Sequence, residues 1–211
     1  MSTDTVGEDW QQVPIKKLDI PEAAAYADLV SITDDLEFVI RACERLHVKM
    51  VAAEAVDPVV ARALWMSALV AYARCFKTGK RRRLTLEDVK ALPLQGDVVE
   101  WHWFLMNMRN KHIAHSVNPF EIVSVGAVVG TAGGVEAIGH LSMHHIGLEE
   151  GGVDQTGLLA VELRKLVVDR IEHQRSQVLE AAQAFAADDL AKLPDLGATT
   201  PGNQQAGTAR T

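Results

Sequence analysis

Phe104–Ser116 reads Phe-Leu-Met-Asn-Met-Arg-Asn-Lys-His-Ile-Ala-His-Ser. The aromatic and aliphatic run that leads into it starts near Trp101. Val98, Trp101, Leu105 and Met108 recur at helical spacing, so the stretch predicts a helix from Asp97 to about His112 with a buried face. Trp101, Trp103 and Phe104 are expected in the core, because tryptophans at helical spacing beside aliphatic residues are more often core than base-stacking platforms. Arg109, Asn110, Lys111, His112 and His115 then gather reactive side chains at the end of that helix. Arg109 and His115 would stand about 9 Å apart along a continuous helix and on different faces. His115 is therefore expected beyond the last full turn, where the chain turning near Ser116–Pro119 can swing the imidazole back toward the guanidinium.

Upstream, Pro21 sits where a first-turn proline belongs, and Leu29, Ile32, Leu36, Val39, Cys43 and Leu46 follow at spacings of three and four. That pattern predicts a long amphipathic helix over Pro21–Met50. Asp57-Pro58 caps a second helix, Val59 to about Lys77, apolar around most of its circumference and so central in a bundle or at a subunit interface. Arg74, Lys77, Lys80, Arg81, Arg82 and Arg83 then fall within ten residues and include no acid. They read as a phosphate-backbone contact or as a solvated loop that keeps the helix end soluble. Thr85–Ala91 is a short capped helix.

Downstream, Glu121–Gly130 alternates as a strand, Thr131–Gly134 turns, and Val135–Leu148 returns, which makes an inserted β-hairpin at about 121–148. Glu149–Gly152 is read as a break and Asp154 as the cap of a last helix carrying Leu159, Leu163, Leu166, Val167, Ile171 and Phe185. The fold class is mainly α: a bundle of four to five helices with an inserted hairpin. Residues 1–19 are expected to form a flexible arm, 20–190 one helical domain, and 191–211 a disordered tail.

With 211 residues, 48% of them hydrophobic, the chain can fill one core. A net charge of -7 excludes coating nucleic acid through bulk charge, so any such site must be focal. No secretory leader or membrane span is evident, and the protein is expected to be cytoplasmic. Cys43 and Cys75 lack metal or redox spacing and read as buried free thiols. His112, His115, His140, His144 and His145 are numerous, but strand geometry separates His140 from His144 by roughly 13 Å and turns His145 to the opposite face. No metal and no cofactor is expected.

Arg109, Asn110, Lys111, Ala114 and His115 resemble the signature of the HEPN superfamily, in the Arg-polar-Lys-x-x-Ala-His form found among abortive-infection and other bacterial members. The order of helices over Pro21–Phe185 is similar as well, whereas the hairpin departs from the simplest all-helical members. The resemblance implies a HEPN-like bundle that forms a homodimer, with two copies of the motif facing each other. It implies a metal-independent endoribonuclease in which His115 accepts the 2′-hydroxyl proton, Arg109 stabilises the phosphate and Asn110 orients one of them. Arg74, Lys77, Lys80, Arg81, Arg82, Arg83, Lys111 and His112 would hold RNA. A toxin or phage-defence role, with a nucleotidyltransferase-like antitoxin as partner, belongs to the same implication. The alternative is a non-catalytic HEPN-like module for dimerisation or partner binding.

Overall fold

Pro21 fixes the φ that opens α1 (Pro21–Val51), and Asp57 opens α2 (Pro58–Arg74) by accepting the backbone N–H of Val59 at 2.8 Å. The Thr85 hydroxyl and the Asp88 carboxylate form a reciprocal capping box on α3 (Leu86–Lys90), and Asp97 caps α4 (Val98–Met108) through the N–H of Glu100. A π-helical turn (Arg109–Ile113), strands β1 (Glu121–Val129) and β2 (Val135–His144), α5 (Glu150–Gln183) and α6 (Ala187–Lys192) follow. These elements come from a computed structural model, which describes residues 14–52, 57–77, 79–113, 121–144, 149–197, 202–205 and 208. The chain is mainly helical, with one two-stranded antiparallel sheet among the described residues. Its four long helices and the short α3 match the expected pattern. The six-residue α6 buries no side chain and so left no periodic signal.

α1 and α5 pack antiparallel along most of their length. His47, late in α1, meets Asp154 early in α5; Glu37 meets Arg164; and the Glu22 carbonyl accepts from Gln174. Leu29, Ile32, Leu36, Val39 and Leu46 join Val153, Leu159, Leu163 and Val167 in one buried core. Each such side chain contributes roughly 1.5–3 kcal/mol on burial. Gly157 lets the two helices close up, because a Cβ there would stand 3.2 Å from the Cys43 Cβ. Both cysteines are free and buried, and burial, with nearby acids second, pushes each thiol up to about 12.

The last helix starts earlier than its sequence suggests. Glu149 is the N-cap, Gly151 and Gly152 lie inside α5, and Asp154 lies beyond the first turn rather than at the cap. Val153 and Thr156 are fully buried there, and that packing outweighs the roughly 1 kcal/mol each helical glycine costs. In the terminal segments, the N–H of Lys17 donates to the Pro194 carbonyl at 2.8 Å and that of Leu196 to the Ile15 carbonyl at 2.7 Å. The described parts of the expected arm and tail therefore pair with each other.

The hairpin pairs in one register from Glu121 opposite His144 to Val128 opposite Ala137, shifts at a bulge to Val129 opposite Val135, and has Gly133 in its turn at a φ of 81°. None of its described residues is buried, and Val123, Val125, Ile138 and Leu141 stand open on it. Residues 145–148, expected to extend the second strand, lie outside the described residues.

The loop between α2 and α3 is fixed by acids that α1 and α3 bury. Asp35 holds Arg81 at 2.9 Å and Arg74 at 3.4 Å, and Asp28 accepts the backbone N–H of Arg82. Burial alone would push the Asp88 carboxyl up, but the Arg170 guanidinium and the Thr85 donors outweigh it and hold the carboxyl below its ordinary value. Asp35→Ala would leave Arg81 half-buried without its counter-charge, and we expect a loss of about 2 kcal/mol in urea unfolding, partly restored by Asp35→Asn. An unchanged unfolding midpoint would show that the loop does not need this anchor.

Candidate phosphate-binding site

α4 is seated by its own residues before it reaches the site. Leu105, Met106 and Met108 enter the core, while Trp101 donates its indole N–H to the Thr156 hydroxyl at 3.2 Å. At Arg109 the α-helical ladder widens into the π turn, a local feature frequent at functional sites. The turn presents Arg109 and Asn110, both half-buried, at the end of α2. There the Asn110 side-chain oxygen accepts from Lys77 Nζ at 2.9 Å and from the Arg109 guanidinium at 3.3 Å.

One neutral amide oxygen thus gathers two cations, whose nitrogens stand within about 6 Å of each other and repel. Neither Lys77 nor Arg109 forms an ion pair with a described carboxylate. The unbalanced charge is suited to an oxyanion, and above all to a phosphate, which takes a guanidinium and an ammonium together. Lys111 follows on the exposed side of the turn. His112 contributes backbone to the turn, its side chain lies outside the described residues, and so does the whole of His115.

The rest of the expected basic cluster separates. Arg81 turns inward to Asp35, Arg74 reaches the same carboxylate from an exposed position, and Arg82 reaches Gln174 at 3.5 Å. Lys80 and Arg83 are exposed with no hydrogen bond or ion pair among the described residues. Arg82 and Arg83 also line a cleft of about 540 Å³ with Arg170 and His173, on the α5 side of the loop. An apolar cleft of about 390 Å³ between α4 and α5, lined by Leu94, Trp101, Phe104 and Leu158, brings no cations together.

Two clusters were not anticipated. The first is His102, 3% exposed, whose Nδ1 lies 2.7 Å from the Tyr72 hydroxyl and whose ring meets Phe76 edge-on at 4.5 Å. Trp103 continues this chain of rings to the surface at 49% exposure, which corrects its assignment to the core: its neighbours on α4 face the bundle and it does not. Tyr72 and His102 lie in different helices, so no local spacing announced them. The second is His47, Glu150 and Asp154, whose ligand atoms lie within 4.8 Å of one another, with His47 Nδ1 2.6 Å from Asp154. These three could hold a divalent cation. His47 lies near the end of α1, and the two acids lie near the start of α5.

Comparison with family models, curated proteins and solved structures finds no match for the chain.

Burial lowers the pKa of His102 to about 4, against about 6.5 in an unfolded chain. The unfolded chain takes up this proton first, so the contribution is complete above pH 6.5 and disappears as the pH falls toward 4. We expect unfolding free energy to drop by about 3 kcal/mol across that window, a slope that His102→Asn should largely remove. Parallel pH profiles for the two proteins would contradict the burial of a neutral imidazole.

Proposed function

We propose that the chain is a metal-independent endoribonuclease of HEPN type. The observation that carries this reading is the convergence of Lys77 and Arg109 on Asn110, without a described counter-anion, at the start of the segment that leads to His115. In the proposed reaction the 2′-oxygen attacks the adjacent phosphorus and its proton passes to His115. Arg109 and Lys77 stabilise the charge on the five-coordinate phosphate. The bond to the 5′-oxygen breaks, that oxygen takes up a proton, and the products are a 2′,3′-cyclic phosphate and a 5′-hydroxyl. Asn110 spaces the two cations. Lys80, Arg83 and Lys111 hold the flanking backbone without reading sequence.

The same reading includes a homodimer with two motifs across one cleft. The hairpin supports self-association, because two strands with apolar residues on both faces are marginal alone in water. It also favours the second reading, a non-catalytic HEPN-like module that dimerises or binds a partner. A role as toxin or phage-defence component, held in check by a nucleotidyltransferase-like antitoxin, is part of the first reading. No described helix is long and apolar enough to cross a membrane.

Purified protein incubated with total cellular RNA in EDTA tests the proposal. Wild type should leave cyclic-phosphate ends, Arg109→Ala and His115→Ala should leave the RNA intact, and Lys77→Ala should slow cleavage about a hundredfold. Intact RNA after incubation with a folded wild-type dimer would favour the binding module instead.

A further inference from the structure

We infer that the cleft between Trp103, Arg83 and His102 receives one unpaired nucleobase of the strand whose phosphate sits at Arg109. This rests on the RNA reading above and names a second subsite for the same ligand. The cleft has a volume of about 250 Å³, and Phe76 and Met106 supply further apolar wall. Trp103 and Met106 on α4 and Asn110 in the π turn that continues it stand at spacings of three and four, which puts Trp103 roughly two turns, about 10 Å, from Asn110. A flexible single strand covers that distance in one or two nucleotides. A strand lying along this face would have its phosphate at one end of the row and a base at the other.

Each wall offers what a base requires. Trp103 is exposed at 49% although its ring lies 5.2 Å from His102, so the indole is anchored at an edge and open to stack. Arg83 at the mouth has no partner among the described residues and is free to cover a stacked base or pair with its phosphate. His102 is 3% exposed and lines the cleft, and its Nε2 has no hydrogen-bond partner among the described residues.

The tautomer follows from what Tyr72 can do. Its hydroxyl has no other acceptor among the described residues, so the pair is best satisfied when Tyr72 O–H donates to Nδ1 and the ring hydrogen sits on Nε2. His102 then offers the cleft a neutral N–H donor. A keto oxygen or ring nitrogen on a base edge is a matching acceptor, and the open indole of Trp103 favours a base over a bare sugar-phosphate.

The test is binding of a fluorescent single-stranded RNA made uncleavable by 2′-O-methylation, beside an abasic strand of the same length. Wild type should bind the base-bearing strand about tenfold more tightly than the abasic one. Trp103→Ala should remove that difference with an unchanged circular dichroism spectrum, and Trp103→Phe should keep most of it. Equal affinity of wild type and Trp103→Ala for the base-bearing strand would overturn the subsite. The nuclease reading is judged separately by cleavage in EDTA. Base-dependent binding without cleavage would keep the subsite and remove the nuclease, whereas cleavage with unaltered KM by Trp103→Ala would keep the nuclease and remove the subsite.

Discussion

Asp35, nearly buried on α1, holds Arg81 at 2.9 Å and Arg74 at 3.4 Å, and the arrangement of the α2–α4 face depends on it. An arginine-rich loop of this length would otherwise repel itself and sample many conformations. Asp35 and Asp28 from α1, with Asp88 binding Arg170 of α5, tie the loop to the two helices that form the core. A buried carboxylate is tolerated only when paired, so these acids define which cations face inward. What remains without a described acidic partner includes Lys77 just past the end of α2, and Lys80 and Arg83 on the loop.

That sorting explains how a chain with a net charge of -7 can present a cationic site. The cations that reach Asn110 have no described carboxylate beside them, while Arg74 and Arg81 a few residues away are paired with Asp35. The π turn brings Arg109 alongside Lys77, just past the end of α2, so charge from two segments meets at one amide oxygen. On α4 itself, the Tyr72–His102 pair keeps a neutral imidazole beside an open indole. The proposed phosphate and base subsites thus draw on α4 and the π turn that continues it.

Much of the architecture was legible in the sequence because local rules agree with the packing. Pro21, Asp57 and Thr85 start their helices where their chemistry predicts, and the strand alternation yields the two strands of the hairpin. The start of α5 was misread because glycine propensity is a weak local term that the burial of Val153 and Thr156 overrides. Arg109 and Asn110 were legible as a motif, but their partner Lys77 was only one member of a cluster. Nothing in the spacing of Arg74, Arg81 and Lys77 tells which of them Asp35 will take, since that depends on contacts more than thirty residues apart. Tyr72 with His102 was hidden for the same reason, and Trp103 was misassigned because helical periodicity does not say which helix face lacks a neighbour.

The central claim is that Lys77 and Arg109 are held together, uncompensated, for a phosphate. Asn110→Asp places a carboxylate at the oxygen both cations approach while leaving the shape unchanged, and binding of an uncleavable single-stranded RNA to this variant tests the claim most directly. The account predicts affinity reduced tenfold or more in a protein at least as stable as wild type, because the new anion occupies the charge meant for the phosphate. Unchanged RNA affinity in the folded variant would contradict it.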